Sequence, residues 1–235
     1  MKTGLTPVLF IILCSVSYAQ NVSNREGWTK GSITLTNGTT LNGYVTYNRQ
    51  EDFITYRDGD NNKVFTSRNV IQVSFYDATE GGERMFVSLP YKDDYTSQDQ
   101  TPYVIFEVLK EFSGFAVLSR ITPAEAGFLA STRNVIMSTP ITRAYEPESI
   151  QQDVIYIVDD KGSIRPYFKE VYRVNSHASE RDEHSKAKIL NERLLSEYIG
   201  FATYQKLQEY ASENHLSFHQ RAGFMKVLAY YETIQ

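Results

Sequence analysis

The chain has 235 residues, of which 41% are hydrophobic and 22% are charged, and its formal net charge is −4. Such a chain is long and apolar enough for one sizeable domain or two small ones, and its composition excludes a disordered or collagen-like protein. Because the charge balance is weakly acidic, we expect no nucleic-acid partner. The single cysteine excludes an intrachain disulfide and a thiolate zinc site.

Residues 1–19 have the pattern of a cleaved secretory signal peptide. Lys2 provides the positively charged start, Val8–Leu13 the apolar stretch, and Ser17-Tyr18-Ala19 the small-x-small cleavage site. The apolar stretch is shorter than the roughly 20 residues that a membrane-spanning helix needs. We therefore expect the chain to be exported and the signal to be removed.

Cys14 lies at the end of this apolar stretch, where a cysteine can be a lipid attachment site. The residue before it is Leu13, whereas a bacterial lipoprotein site has a small residue there. We interpret Cys14 as an ordinary signal residue. The mature chain then begins at Gln20, has no transmembrane segment, and is periplasmic or associated with the outer surface.

Residues 28–76 predict a small antiparallel β barrel. Ile33 and Leu35 alternate with polar residues, as in a half-buried strand, and Asn37-Gly38 is a strong hairpin signal. Three more short strands follow, so five strands joined by tight turns occupy about fifty residues, a pattern typical of a closed or nearly closed barrel. Gly43 lies within a strand pattern, at a point where such a barrel bends sharply.

The rest of the chain predicts a second antiparallel sheet and then helices. Residues 77–101 are polar and are interpreted as a connecting segment, although 85–89 could extend a strand. Residues 102–174 return to strand patterns, and in 187–235 apolar residues fall at helical spacing. The expected fold class is α+β, with an N-terminal small antiparallel β barrel, a second antiparallel β sheet region and C-terminal α-helices.

The opening of the mature chain has a motif-like pattern. It reads Gly31-x-Ile33-x-Leu35-x-Asn37-Gly38-x-x-Leu41-x-Gly43-x-Val45, with a later strand from Val70 to Phe75. This pattern resembles the opening of a family of exported Bacteroidota envelope proteins of unknown function, and also that of SH3-like and Sm-like barrels. The resemblance implies export, an envelope setting and a barrel. It implies no catalytic residues.

Three groups of paired carboxylates are candidates for the acid–base chemistry of a hydrolase, which needs two such groups across a cleft. They are Asp93-Asp94, Glu146 with Glu148, and Asp159-Asp160. The last pair precedes Lys161-Gly162 and is better interpreted as hairpin chemistry. Asp58-x-Asp60-x-Asn62 has the alternating oxygen ligands of a calcium loop, but Arg68-Asn69 occupies the region where the loop's glutamate is expected, which favours a tight turn.

The four histidines form no recognisable metal site. His215 and His219 have the spacing of a clamp on one helix, but Ser217 between them is a helix N-cap candidate, and a zinc site needs three or four protein ligands. His177 and His184 lie in a charged connector. The sequence therefore predicts no catalytic residues, no cofactor-binding residues and no metal ligands.

Tyrosine is the unusual component, with 17 residues against a single tryptophan. Tyrosine offers a flat apolar ring with a polar tip, which suits stacking on sugars or contacts with proteins, although it is also a common strand residue. The favoured hypothesis is a non-catalytic envelope protein that binds a protein or glycan or acts in assembly. The alternative is a carboxylate-dependent hydrolase of an envelope or dietary polymer. A cleft with two carboxylates roughly 5–9.5 Å apart favours the hydrolase, whereas an exposed aromatic patch favours binding.

Overall fold

The computed structural model describes residues 27–49, 51–78, 81–92, 101–124, 150–173 and 186–235. These residues form one sheet of 11 strands followed by three helices. The strands are β1 (Thr29–Leu35), β2 (Thr40–Asn48), β3 (Phe53–Asp58), β4 (Asn61–Thr66), β5 (Val70–Asp77), β6 (Gly82–Pro90), β7 (Tyr103–Phe112), β8 (Phe115–Pro123), β9 (Ile150–Asp159), β10 (Ile164–Arg173) and β11 (Lys186–Ile189). The helices are α1 (Leu194–Ile199), α2 (Phe201–Glu213) and α3 (Arg221–Thr233).

All strand pairings in the described residues are antiparallel, and the strand order is β11-β10-β9-β8-β7-β6-β5-β1-β2-β3-β4. Most neighbours in the sheet are also neighbours in the sequence. The exception is β1, which lies between β2 and β5. A short 3-10 turn at Ser67–Asn69 leads the chain from β4 into β5.

The predicted architecture of a small N-terminal barrel and a separate second sheet is wrong. Strand β5 pairs with β1 on one side and with β6 on the other, so the sheet continues instead of closing. The turn before Gly82 makes this possible, because Gly81 has φ 71° and its N–H donates to the Asp77 carbonyl oxygen. Strand β6 then pairs with β7. The segment expected to connect two units thus contains a strand that joins them.

The N-terminal half of the sheet, β1–β6, is curved, because side chains of β2 and β6 meet on its inner face although β1 and β5 lie between those two strands. Residues of these strands and of the start of β7 form one apolar cluster, comprising Ile33, Val45, Ile54, Tyr56, Val70, Val73, Phe86 and Ile105. Phe75 and Phe86 stack with ring centroids 5.3 Å apart, and Tyr47 meets Phe86 edge-on at 5.2 Å. No helix belongs to this cluster.

The C-terminal half, β7–β10, is covered by the three helices. Its main cluster joins strand residues Phe115, Val117, Ile155, Ile157, Tyr167 and Phe168 to helix residues Leu194, Leu195, Tyr204, Leu207, Ala211, Phe224, Val227, Leu228 and Tyr231. The same strands also bury apolar residues on their other side, among them Phe106, Leu118 and Tyr156. Burial on both sides explains why β9 is apolar on both faces.

Several sequence-based expectations lie outside the described residues. These are the signal peptide at 1–19 with Cys14, the carboxylates Asp93, Asp94, Glu146 and Glu148, and the histidines His177 and His184. In the described part of the chain, no helix combines the length and apolar character that crossing a bilayer requires.

Candidate binding groove

Two glycines face each other on the inner side of the curved N-terminal strands. Gly31 of β1 and Gly43 of β2 are direct register partners. A Cβ atom on Gly43 would lie 2.6 Å from the Arg57 carbonyl oxygen and 2.8 Å from the Tyr56 ring, and a Cβ on Gly31 would collide with the Ser74 carbonyl oxygen. The absence of both side chains therefore allows the inner side of the bend to close tightly.

A shallow groove of about 440 Å³ lies at this bend. Successive side chains of a strand point to opposite faces, so the neighbours of the two glycines point away from the apolar cluster. The groove is lined by the glycine backbones and Phe75, and by the outward-facing side chains Lys30, Ser32, Asn42, Tyr44, Ser74, Tyr76 and Glu83. Its volume lies within the range of about 300–1,000 Å³ that is usual for ligand sites.

Aromatic rings stand exposed along this surface. Tyr44 is 43% exposed and Tyr76 is 56% exposed, although each belongs to a strand that is paired on both sides. The guanidinium of Arg57 lies 4.5 Å from the Trp28 ring centroid and 5.5 Å from the Tyr44 ring centroid. These cation–π contacts hold the rings of Trp28 and Tyr44 next to each other. Exposed rings that share one groove form an apolar patch that a partner can contact.

Polar groups line the groove beside the rings. The hydroxyl oxygens of Ser32 and Ser74 lie 3.0 Å apart in a hydrogen bond that links β1 to β5. Lys30 and Glu83 add one positive and one negative charge to the lining. The groove thus combines flat apolar rings, groups that both donate and accept hydrogen bonds, and no excess of either charge.

A second constellation lies where the two halves of the sheet meet, and we name Arg84, Glu107, Asp153 and Arg221 the charge cluster. Glu107 accepts two hydrogen bonds from Arg84, at 2.8 and 2.6 Å, and one from Arg221 at 2.9 Å. Arg221 also donates to Asp153 at 3.2 Å. All four residues are buried.

Further residues hydrogen-bond to the charge cluster, among them Asp77, which accepts from Arg84 at 2.9 Å. The Ser119 hydroxyl donates to Asp153 at 2.5 Å and accepts from Arg221 at 2.9 Å. The carboxylate of Glu170 accepts the backbone N–H of Arg221 at 2.9 Å. Since Arg221 is the first residue of α3, Glu170 satisfies one of the free N–H groups at the start of that helix.

The charges of the cluster decide the ionisation of Glu107. Burial alone raises the pKa of this carboxyl, but the opposing effects of Arg221 and Arg84 outweigh it and hold the pKa below its usual value. A glycosidase acid needs the opposite shift, because it must keep its proton at the working pH. The buried and ionised Glu107 therefore serves to hold β6, β7 and α3 together.

Asp52 makes the second link at this junction. The pairing of β7 with β8 ends at Glu107 and Ser119, so the backbone of β7 before Glu107 has no partner on β8. There, the N–H of Ile105 donates a hydrogen bond of 3.3 Å to Asp52 in the β2–β3 turn. The Tyr47 hydroxyl donates to Asp52 at 2.7 Å. Burial, reinforced by the Asp52 charge, raises the Tyr47 pKa and keeps this donor protonated. Asp52 takes the left-handed φ of 57° in making these contacts.

The carboxylates singled out by sequence have turn roles where the structure describes them. Asp159 accepts the backbone N–H groups of Lys161 and Ser163, at 3.0 and 2.8 Å, and so closes the β9–β10 hairpin. Asp58 and Asn61 are register partners at the β3–β4 turn. These contacts fit the turn interpretation given for both segments.

The two histidines with clamp spacing, His215 and His219, lie in different environments. His215 lies in the turn after α2 with φ 54°. His219 is partly buried, and its ring contacts Tyr167, Phe168 and Phe218. In the described segments, no group of three or more His, Cys, Asp or Glu side chains could hold a metal ion.

Comparison with protein-family models, curated proteins and solved structures finds no match for this chain. The groove and the charge cluster therefore have to be interpreted from their own chemistry. Sequence reasoning noticed the tyrosine content but did not locate the groove. The available signal was Tyr44, a large ring next to Gly43 in a strand that alternates its faces, and thus pointing outward.

Proposed function

We propose that the protein is a non-catalytic exported protein of the cell envelope, which acts as a binding or assembly module through the groove at Gly31 and Gly43. Export is supported by the signal pattern of residues 1–19. The observation that carries the binding role is the exposed pair Tyr44 and Tyr76, which line one groove together with polar side chains. Its partner is a protein or a glycan of the envelope, since the acidic chain is unsuited to nucleic acid.

The binding role is tested by co-sedimentation of the purified protein with isolated envelopes of the source organism. We expect wild-type protein to sediment with the envelopes, and the double variant Tyr44→Ala/Tyr76→Ala to remain in the supernatant. Tyr103→Ala is the matched control, because Tyr103 is a 46% exposed tyrosine of β7 outside the groove. Equal sedimentation of wild type and double variant would show that the groove is not the binding surface.

Export is tested separately by fractionation and by N-terminal sequencing of the chain recovered from cells. A periplasmic or surface-associated chain that begins at Gln20 is the expected result. A full-length chain in the cytoplasm would contradict the proposed setting, whatever the groove binds.

A further inference from the structure

We propose that the groove binds an extended, uncharged glycan chain whose sugar rings stack on Tyr44 and Tyr76. This inference rests on the proposed binding function and specifies the ligand class of the same site. Sugars present flat C–H faces and hydroxyl-rich edges, so they require aromatic rings for the faces and groups that both donate and accept for the edges. Tyr44 and Tyr76 supply the rings, and the Ser32, Ser74 and Asn42 side chains supply the polar groups.

The positions of the two rings suit a chain better than a single sugar. Tyr44 is the register partner of Lys30, and Tyr76 lies on β5, on the other side of β1. Two strand spacings therefore separate the backbones that carry the rings, about 9.5 Å. This separation is close to the two-residue repeat of an extended β-linked glycan, so alternate sugar rings can stack on the two tyrosines.

The direction of the chain follows from the same placement. The two rings are aligned across β2, β1 and β5, so a glycan that contacts both runs across the strands. Between them it crosses β1 at Lys30, with the hydrogen-bonded Ser32–Ser74 pair two residues further along the strands. The backbone of Gly31 also lines the groove.

The charges of the groove favour a neutral ligand. Lys30 and Glu83 flank Tyr76 in the sheet, with Glu83 as its register partner on β6. A polyanionic chain such as an acidic polysaccharide would meet Glu83, and a polycation would meet Lys30. A neutral chain avoids both repulsions and accepts hydrogen bonds from Lys30 and donates them to Glu83.

The experiment uses isothermal titration calorimetry of the purified protein with neutral oligosaccharides. The probes are hexasaccharides of β-1,4-linked glucose, N-acetylglucosamine, mannose and xylose, together with their disaccharides. We expect at least one hexasaccharide to bind, and its disaccharide to bind more weakly because it spans one tyrosine only. Failure of all four hexasaccharides to bind overturns the glycan proposal, as does equal affinity of the bound hexasaccharide and its disaccharide.

Variants connect this binding to the two rings. Tyr44→Ala and Tyr76→Ala should each weaken binding of the hexasaccharide about fivefold to thirtyfold, the usual range for truncating an aromatic residue central to a binding site. Tyr44→Phe keeps the stacking ring and should retain most of the affinity, and Tyr103→Ala should retain all of it. Unchanged affinity in both alanine variants would overturn the assignment of the site.

A charged probe and the envelope assay separate the remaining outcomes. Tighter binding of a galacturonic acid hexasaccharide than of any neutral one would contradict the charge argument. If no glycan binds but envelope sedimentation still depends on Tyr44 and Tyr76, the proposed binding function stands and the ligand is a protein. If sedimentation is also independent of both tyrosines, the proposed function fails together with the glycan inference.

Discussion

The two halves of this sheet bury their inner faces by different means. In β1–β6 the sheet curves, and its own side chains Ile33, Val45, Ile54 and Phe86 fill the space enclosed. In β7–β10 the three helices cover the strands. Ile155 and Phe168 of the sheet pack against the helix residues Leu194, Leu207, Phe224 and Leu228. The first solution needs residues without side chains at the bend, whereas the second needs a partner element from elsewhere in the chain.

The comparison shows where a continuous sheet has to change from one solution to the other. At the junction, Arg221 is the first residue of α3, and Ile105 of β7 belongs to the apolar cluster of the curved half. The space between them is filled by charges that satisfy one another, Arg221 and Arg84 with Glu107. Displacing any member of this network would leave a buried charge with fewer partners, which is costly, so the network favours one arrangement of the two packing regions.

The largest effect is therefore expected from removing Arg221. Arg221→Ala leaves Glu107 and Asp153 buried with one partner fewer, and it removes the side-chain hydrogen bonds that link α3 to β7, β8 and β9. Loss of one partner from a buried ion pair typically costs about 3–5 kcal/mol of unfolding free energy. Urea denaturation monitored by circular dichroism measures the change.

The control for this variant is Arg165→Ala. Arg165 pairs with Glu197 at 2.8 Å, but the two side chains are 37% and 48% exposed. Solvent screens such a pair, so its removal should cost no more than about 1 kcal/mol. Equal losses in the two variants would show that the junction is not held by its buried charges.

The helix-covered half is tested by Leu194→Ala. Leu194 is fully buried at the start of α1 within the main C-terminal cluster. Truncation should cost about 2–5 kcal/mol, because it removes transfer free energy and leaves a cavity. Phe201→Ala is the control, since Phe201 is 68% exposed at the start of α2 and should change the unfolding free energy little. A stable Leu194→Ala variant would mean that the helices are a loosely attached element.

The curved half is tested by Gly43→Val. The new Cβ would meet the Arg57 carbonyl oxygen and the Tyr56 ring, so the strands must separate, at an expected cost of about 1–3 kcal/mol. Gly82→Val is the matched control, because a Cβ there has no atom within 4 Å and the residue has no left-handed φ. Equal thermal midpoints for the two variants would remove the argument that Gly43 is required by close approach.

Sequence reasoning reached the local features and failed at the long-range ones. Alternation around Ile33 and the Asn37-Gly38 turn predict β1, its turn and β2, because these signals depend on neighbours in the chain. Alternation does not say which strand pairs with which. The choice between a closed barrel and a continuing sheet depended on β5 pairing with β6, and the polar residues 77–101 concealed it.

The sites show the same limit. Glu107 and Arg221 are 114 residues apart in the chain, and neither stands out from its local sequence. Tyr44 and Tyr76 become a pair only because β1 lies between β2 and β5. A single sequence carries no signal for either juxtaposition, since both follow from strand order and not from spacing.

The smallest expected effect concerns the pH dependence of the helix-covered half. Burial among Tyr167, Phe168 and Phe218 lowers the pKa of His219, and this effect outweighs the nearby Glu192 carboxylate, which raises it. The unfolded chain has the ordinary histidine pKa of about 6.5 and so binds more protons than the folded chain below that pH. The unfolding free energy contributed by His219 should therefore decrease as the pH falls from about 7 to about 5.

In His219→Phe, which keeps an aromatic ring and cannot titrate, this pH-dependent contribution disappears. The measured quantity is the difference in unfolding free energy between wild type and variant at each pH, so that all other titrating groups cancel. His219→Leu provides a second reference if the larger phenylalanine disturbs the packing. A difference that stays constant over this pH range for both variants would show that His219 is protonated as easily in the folded chain as in the unfolded one, and that the helices leave it in contact with water.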